Sequence, residues 1–488
     1  MAELTADSSK VVRSVFFALI LDLLAFTLPL PLFPRLIAWY LHREAHSPTT
    51  LLARLLNLSH TWRASLQSIS SPSYRTSVGD ETKSLWTAGR EGGDAKNWDI
   101  VLLGGAMGSL FSLCQCVISP WLGGLSDRYG RKKVLLATMV GNLVSAAIWV
   151  QSTSFSSFLL SRLVGGLSEG NVQLSTAIIG DVTTPATRSK SLALIGIAFS
   201  ICFTLGPSIG AYFASRPLPI TSANDDKLNV YALPATISLI LLAIETIYLA
   251  VRLPETKNLK SQAKSDDKVA NIAKEPVSVR KARLDAIGRF HGLFLLFFSG
   301  AEFTLTFLTY DLFAATNSQN GRLLSYIGIL SALLQARHVR PSLARKGELR
   351  VASYGIITCC IGLGMLAILP FSSIKSSQFL STAVLYIAAT GLSYTSATVV
   401  TGLTAAAAAC CDEEVPGTES LLRRGKAMGQ FRSKGQLGRA VGPLLASSIY
   451  WLQGPTICYS MCMAFMMGVY VYIQQQVRQE KVRKSTSQ

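Results

Sequence analysis

Long apolar runs recur along the whole chain and are separated by short polar or basic stretches. About 20 apolar residues is the length that an α-helix needs to cross the hydrocarbon core of a bilayer. The runs span residues 14–40, 99–121, 133–153, 155–180, 191–213, 230–252, 289–312, 322–337, 351–371, 379–404, 427–452 and 455–476. The pattern predicts an all-α membrane protein with twelve transmembrane helices. The first run has no small-residue cleavage site, so we expect a retained helix and not a processed leader.

Basic residues are concentrated after the even-numbered runs, for example at 128–133 after the second run and in the linker 253–288 after the sixth. The formal net charge of +18 would also be compatible with nucleic-acid binding. The basic residues lie on one side of the predicted bundle, however, so the charge is better explained by the orientation of the protein in the membrane, because cytoplasmic loops carry the excess of Lys and Arg. Both termini and the linker are therefore predicted to be cytoplasmic, and no nucleic-acid partner is expected.

The sequence contains no pattern typical of a cofactor, a metal or a nucleotide. Nine cysteines and five histidines are scattered without ligand spacing, and there is no P-loop. We therefore expect no metal, no cofactor, no ATP-driven pumping and no enzyme. The long outer loop 41–98 contains "NLS", which makes Asn57 a candidate for glycosylation.

Two distant stretches of the chain resemble each other. "RSKSLALIGIAFSICFTLGPSIGAY" (188–212) and "RGKAMGQFRSKGQLGRAVGPLLASS" (424–448) align at one constant offset. The matched positions are Arg188, Lys190, Gly206 and Pro207 in the first stretch and Arg424, Lys426, Gly442 and Pro443 in the second. The repeat predicts two parallel six-helix halves, 1–252 and 289–488, joined by the cytoplasmic linker 253–288, with a site between them near the midplane.

"GGLSDRYGRKK" (123–133) resembles the signature loop of the major facilitator superfamily. The matching residues are Gly123, Asp127, Arg128, Gly130, Arg131 and Lys132. "RLVGGLSEG" in the fourth run is similar to the second family motif, "LGPSIGA" in the fifth run to the Gly-Pro motif of the antiporter branch, and "LPET" (253–256) to a further family mark. The stretches 299–313 and 429–451 resemble the eukaryotic tetracycline-transporter-like group of organic-anion and drug transporters.

The resemblance implies a conformational latch and a helix-packing motif. In the family, the acid matching Asp127 caps the cytoplasmic end of the eleventh helix, where the positive end of the helix dipole favours an anion. Positive-inside anchoring alone is the alternative. The implied latch residues are Gly123, Asp127, Arg128, Gly130 and Arg131, and the implied packing residues are Gly206, Pro207, Gly210, Gly442 and Pro443.

The eleventh run carries three cations, which are costly inside a bilayer unless something holds them. Arg439 lies about 18 Å into this helix at 1.5 Å per residue, so we expect it past the midplane. Gln436 and Arg439 share one face of the helix, and both are candidates for binding substrate; the alternative for Arg439 is a buried ion pair. Arg432 and Lys434 are expected to reach the interface, to pair with Asp127 or to contact substrate.

Three acids inside the apolar runs are candidate proton carriers, because burial disfavours the charged form of a carboxyl group. They are Asp22, Glu169 and Glu302, and the alternative for each is a static partner for a buried arginine. Further candidates for the substrate site are Arg162, Gln173 and Thr306. Arg162, Glu169 and Gln173 are predicted to share one face of the fourth helix, and the resemblance implies that Arg162 takes part in proton coupling. Family architecture implies a peripheral position for Glu245.

These observations predict a monomeric secondary active transporter that works by alternating access. The expected activity is proton-coupled efflux, by antiport, of small amphipathic organic molecules, with organic anions favoured by the interior arginines. An uncoupled facilitator of a sugar or another small solute is one alternative, and a non-transporting membrane receptor or scaffold is the other. The expected partners are the lipid bilayer, protons and the small-molecule substrate.

Overall fold

The computed structural model describes residues 6–44, 49–69, 94–214, 228–257, 276–313, 315, 317–371, 377–411 and 422–486. These residues form α-helices joined by short connections, and no strand occurs among them. The helices are α1 (Ala6–Thr27), α2 (Phe33–Glu44), α3 (Leu51–Ile69), α4 (Asp94–Tyr129), α5 (Arg131–Val150), α6 (Phe155–Ser168), α7 (Asn171–Val182), α8 (Pro185–Ala214), α9 (Ala232–Arg252), α10 (Val277–Phe313), α11 (Asn317–Leu334), α12 (Arg340–Lys346), α13 (Glu348–Ile368), α14 (Gln378–Ala409), α15 (Arg424–Gln453) and α16 (Pro455–Thr486).

All twelve predicted runs fall on these helices, which confirms the all-α fold. Among the described residues, eight helices are long and apolar enough to cross a membrane. Their candidate spans are Leu103–Tyr129, Arg131–Val150, Thr187–Ala214, Ala232–Arg252, Val277–Phe313, Glu348–Ile368, Gln378–Ala409 and Pro455–Arg478. The first, fourth, eighth and eleventh runs lie in helices that are shorter, interrupted or more charged.

Three runs differ from the prediction of one regular helix each. The first run is interrupted between α1 and α2 by a 3₁₀ turn at Leu30–Leu32, where prolines remove backbone donors. The fourth run is broken between α6 and α7 at Glu169 and Gly170. The eighth run continues from α11 through a π-helical turn, Gln335–Val339, into α12.

Glycines allow the helices of the bundle to approach closely. A Cβ at Gly206 of α8 would overlap Thr27 Oγ1 at the end of α1, and one at Gly210 would overlap the carbonyl oxygen of Leu28. In the other half, a Cβ at Gly442 of α15 would overlap the carbonyl oxygen of Leu296 on α10. Small residues permit such backbone contacts between membrane helices, so both Gly-Pro pairs lie where two helix backbones meet.

Candidate functional site

The signature loop lies where α4 meets the first residues of α15. The Asp127 carboxylate is 3% exposed and accepts hydrogen bonds from the backbone N–H groups of Gly425 and Lys426, at 2.9 and 2.8 Å. These are unpaired donors of the first turn of α15, where the helix dipole also favours an anion. The two predicted halves therefore meet at this end of the bundle, which we call the latch end.

Arg131 and two further residues extend this contact into a buried charge network. Arg131 Nη1 is 2.5 Å from Asp127 Oδ1, and its Nε is 2.9 Å from Asp181 Oδ2 on α7. Arg424 Nη1 of α15 is 2.8 Å from Asp181 Oδ1. Asp181 thus joins cations from both halves. The sequence analysis missed it, although an acid at the basic end of a membrane helix was a usable signal.

Two glycines of the loop lie at positions where a side chain would overlap a neighbour or strain the backbone. Gly123 faces Gly425 so closely that a Cβ on either would overlap the carbonyl oxygen of the other. Gly130 has a φ of 106°, a conformation that L-side chains rarely adopt. Glu255 of the "LPET" stretch accepts hydrogen bonds from the backbone N–H groups of Arg131 and Lys132, at the start of α5.

Arg128 takes a different position from the rest of the loop. Its side chain is exposed, and its guanidinium lies 5.2 Å from the ring centroid of Tyr129. Its backbone carbonyl accepts a hydrogen bond from Lys257 Nζ at 2.8 Å. The structure therefore brings Gly123, Asp127, Gly130 and Arg131 together and leaves the side chain of Arg128 at the surface.

A partly open pocket lies inside the first half, away from the latch end, and we call it the cavity. Helices α1, α4, α5, α6 and α9 contribute its walls. Its polar lining is Asp22, Asn142, Ser145, Arg162, Glu169 and Ser238, and its apolar lining is Ala25, Phe26, Pro29, Phe111, Ala146, Trp149, Gly165 and Leu242. Three of the candidate residues, Asp22, Arg162 and Glu169, thus share one amphipathic space.

The break in the fourth run changes how its residues are presented. Glu169 has extended backbone angles, φ −73° and ψ 96°, and Gly170 begins the cap of α7. The prediction that Arg162, Glu169 and Gln173 share one helical face is therefore wrong, since the helix does not continue between them. The break leaves backbone groups without helical partners and turns the Glu169 side chain into the cavity.

Amide side chains hold both acids of the cavity. Asn171 Nδ2 donates to Asp22 Oδ1 at 2.6 Å, and Asn142 Nδ2 donates to Glu169 Oε2 at 3.4 Å. Asn171 is 1% exposed, and its Oδ1 has no hydrogen-bond partner among the described residues. Glu245 of α9 is also 1% exposed and lies within electrostatic reach of Asp22 and Glu169. The peripheral position expected for Glu245 is therefore wrong.

Arg162 lies among aromatic rings. Its guanidinium is 5.4 Å from the ring centroid of Phe158 and 5.8 Å from that of Trp149, and Nη2 donates to Ser161 Oγ at 3.4 Å. Its Nε is buried without a hydrogen-bond partner in the described part of the chain. A cation stacked on aromatic faces keeps its charge available to an anion.

Lys434 and Arg432 of α15 have different surroundings. Lys434 Nζ pairs with Asp285 Oδ1 of α10 at 2.7 Å, near the surface. Arg432 is turned inward, and its Nε is buried without a hydrogen-bond partner among the described residues. Its guanidinium lies within electrostatic reach of Glu169 and Asp22 of the other half. Neither cation pairs with Asp127, so that option of the sequence analysis is wrong for both.

Arg439 and Glu302 lie within electrostatic reach of each other, but they do not form an ion pair within 4.0 Å in the described structure. Arg439 is half-buried and Glu302 is exposed. Thr306 donates to the carbonyl of Phe303 in its own helix, at 3.3 Å. Gln436, on the Arg439 face, is 7% exposed, and its Oε1 has no hydrogen-bond partner among the described residues.

The remaining candidates lie elsewhere. Gln173 Nε2 donates to the carbonyl of Ser119 on α4 at 3.0 Å, so its amide joins two helices of the first half. Asn57 is exposed and lies on α3, within the segment 41–98 that was predicted to be the outer loop. No group of three or more His, Cys, Asp or Glu side chains that could hold a metal occurs in the part of the chain that was described.

Comparison with known proteins gives consistent results. The family model of the Major Facilitator Superfamily matches residues 15–443. "Major facilitator superfamily domain-containing protein 10" of Bos taurus is 34% identical over 480 residues, which covers 95% of this chain and 92% of that protein. "Tetracycline resistance protein, class B" of Escherichia coli is 31% identical over 108 residues, 22% of this chain and 27% of that protein.

A solved structure extends the similarity to three dimensions. The crystal structure of the human organic anion transporter MFSD10 (TETRAN) has a TM-score of 0.73 and 31% sequence identity. It matches 96% of this chain and 100% of that chain. Together with the signature loop and the all-α fold, these findings establish that the chain belongs to the major facilitator superfamily, a family of multi-pass membrane transporters and not of enzymes.

Proposed function

We propose that this transporter moves small amphipathic organic anions across its membrane, with protons as the coupling ion. The proposal rests on the lack of a carboxylate partner, in the described part of the chain, for three interior arginines, Arg162, Arg432 and Arg439. Within the described residues, none of them has a carboxylate oxygen within 4.0 Å. A cation in the membrane interior that lacks a countercharge costs several kcal/mol, so a substrate that brings negative charge would be stabilised there.

The relatives support the class of substrate. The human protein of similar structure is named an organic anion transporter, and the bacterial relative that matches part of this chain is named for tetracycline resistance. Efflux of drugs or organic anions is the direction that these names favour. Aromatic residues in the cavity, among them Phe26, Phe111 and Trp149, would suit the apolar part of an amphipathic molecule.

The proposed mechanism is alternating access between the halves 1–252 and 289–488. The Asp127 contact would close the latch end, which we place on the cytoplasmic side together with both termini and the linker 253–288 because of its basic residues. Opening that end would require the Asp127 bonds to α15 to break, while the cavity residues keep their places within their own half. The transporter would work as a monomer.

The substitution Arg439→Gln tests the preference for anions. We expect the variant to fold and to lose about tenfold to a hundredfold in affinity for 2-naphthoate, because a hydrogen bond to a charged group contributes about 1.5–3 kcal/mol. Arg439→Lys should lose part of that affinity, since Lys lacks the planar pair of donors that matches a carboxylate. The measurement is uptake into proteoliposomes, with 2-naphthamide as the neutral analogue.

The neutral analogue is the control for this experiment. If Arg439 binds the anionic group, transport of 2-naphthamide should change much less than transport of 2-naphthoate. Equal losses for both molecules would show that Arg439 only ties helices together, and the proposed preference for anions would then fail.

Proton coupling has its own test. Wild-type uptake of 2-naphthoate should respond to an imposed pH gradient and should fall when a protonophore removes it. Glu302→Gln should keep binding but weaken this response, because Glu302 is the exposed acid within electrostatic reach of Arg439. Uptake that is the same with and without the protonophore would support the uncoupled facilitator instead.

A further inference from the structure

The antiparallel course of α7 and α15 places Arg432 at a defined depth. Asp181 near the end of α7 contacts Arg424 at the start of α15, at 2.8 Å. Eight residues back along α7 is Gln173, and eight residues forward along α15 is Arg432, each about 12 Å from this contact at 1.5 Å per residue. Arg432 is thus level with Gln173 and one turn from the break that presents Glu169.

Contacts with α4 confirm this alignment. The carbonyl oxygen of Ser119 accepts a hydrogen bond from Gln173, and a Cβ at Gly429 of α15 would overlap the same oxygen. One turn further along, Ser433 Oγ donates to the carbonyl of Cys116 at 2.6 Å. The first turn of α7 and the residues around Arg432 therefore meet on one short section of α4.

The charges around Arg432 come from both halves. Glu169 and Asp22 of the first half and Arg439 of its own half lie within electrostatic reach of it. Glu245 of α9 lies within electrostatic reach of both acids, and His291 of α10 lies within electrostatic reach of Arg432 and Arg439. Arg432 is thus a cation of the second half that faces two acids of the first half without forming a close ion pair.

We infer that Arg432 makes the binding of an organic anion and of a proton cooperative, so that both cross the membrane together. This inference rests on the proposed anion transport, and it assigns the coupled proton to Glu169 or Asp22 in place of Glu302. When the site is empty, the positive charge of Arg432 offsets the negative charge of Glu169 and Asp22. When an anion binds Arg432, the positive charge of Arg432 no longer offsets the two acids. One of the acids then takes up a proton from the water on the same side.

The charge balance explains why the two ions would travel together. The anion adds one negative charge and the proton one positive charge, so the loaded site has the same net charge as the empty site. A buried acid left charged without its cation would be costly, so the anion without the proton is disfavoured. Co-transport replaces the antiport expected from the resemblance, and net transport then runs toward the side of higher pH.

The test uses 2-naphthalenesulfonate, an anion whose own charge does not change near neutral pH. We expect the purified full-length transporter to take up about one proton per anion bound, measured with a pH indicator in weakly buffered solution. Linkage then requires the affinity to rise by up to about tenfold for each unit that the pH falls, between the protonation limits of the empty and loaded site. In proteoliposomes, the anion should accumulate when the inside is more alkaline than the outside.

Variants separate the two partners of the proposed coupling. The double variant Asp22→Asn/Glu169→Gln should still bind 2-naphthalenesulfonate but take up no proton, because both acceptors are gone. Arg432→Gln should lose anion affinity and its pH dependence together. Lys434→Gln is the matched control: it removes a cation two residues away that has its own partner, Asp285, and should leave the proton count unchanged.

Each alternative result has a distinct meaning. Release of protons on anion binding, or a proton count of zero in the wild type, would overturn the coupling by Arg432 while leaving anion transport intact. Proton uptake that survives in the double variant would assign it to Glu302, Glu245 or His291 and would also overturn the inference. Failure of the wild type to bind any sulfonate or carboxylate of a naphthalene and benzene panel would instead contradict the proposed function itself.

Discussion

A disulfide between Cys116 and a cysteine introduced at Ser433 should stop transport almost completely. The two side chains belong to α4 and α15, and Cys116 Sγ lies 3.4 Å from Ser433 Oγ. A thiol in place of that hydroxyl needs only a small side-chain adjustment to reach the length of an S–S bond, about 2.05 Å. The covalent link would hold the halves together about two turns from the latch end, so we expect oxidised Ser433→Cys protein to retain less than about a tenth of its transport, carried by molecules whose disulfide has not formed.

The controls for this experiment come from the chain itself. The other eight cysteines are buried, whereas Cys116 is half-buried, so mild oxidation should select the intended pair. The double variant Cys116→Ser/Ser433→Cys should be insensitive to the oxidant, and a reductant should restore the single variant. A protease site in the linker 253–288 lets a non-reducing gel report whether the halves are linked. Full transport by linked protein would show that α4 and α15 do not separate during the cycle.

The substitution Asp127→Asn should leave the protein folded and slow transport by about tenfold or more. The carboxylate accepts two backbone N–H groups of α15 and contacts Arg131. The asparagine has one acceptor oxygen and no charge, so it loses a charge–dipole interaction of up to about 2 kcal/mol and part of the hydrogen bonding. Since about 1.4 kcal/mol corresponds to a factor of ten, the closed latch end becomes correspondingly less populated.

A second ion pair near the latch end provides the matched control. Asp285→Asn removes the partner of Lys434, but that pair is more than a third exposed on both sides and should change transport little. Transport rates and solvent accessibility of Cys116 to a thiol reagent report turnover and latch opening separately. Normal turnover in well-expressed Asp127→Asn protein would show that the loop serves only as a positive-inside anchor.

Several features could be predicted from the sequence because the information is local. A membrane helix must satisfy its backbone hydrogen bonds within one contiguous segment, so apolar length alone located all twelve runs. The signature loop is a contiguous motif that resembles the family's, and its acid, its glycines and Arg131 lie together in the structure. The Gly-Pro positions could also be predicted, since the repeat contains them in both halves.

Other features depend on how the helices are rotated and where they break. The burial of Glu245 and the pairing of Lys434 with Asp285 follow from helix orientation, which the periodicity of uniformly apolar segments does not reveal. Asp181 joins the charge network at the latch end only because α7 ends beside α15. A single extended residue at Glu169 redirected its side chain, although the sequence there reads as continuous helix.

The sequence by itself therefore determined which residue types enter the membrane, and the tertiary structure decided which of them face one another. Isolated cations and acids in apolar runs indicate functional residues inside the helix bundle, because each is costly to bury alone. Whether Arg432 reaches the interface or faces Glu169 depends on contacts between helices from opposite halves, more than 250 residues apart in the chain. Such contacts arise only when the two halves close on each other, and no local pattern specifies them.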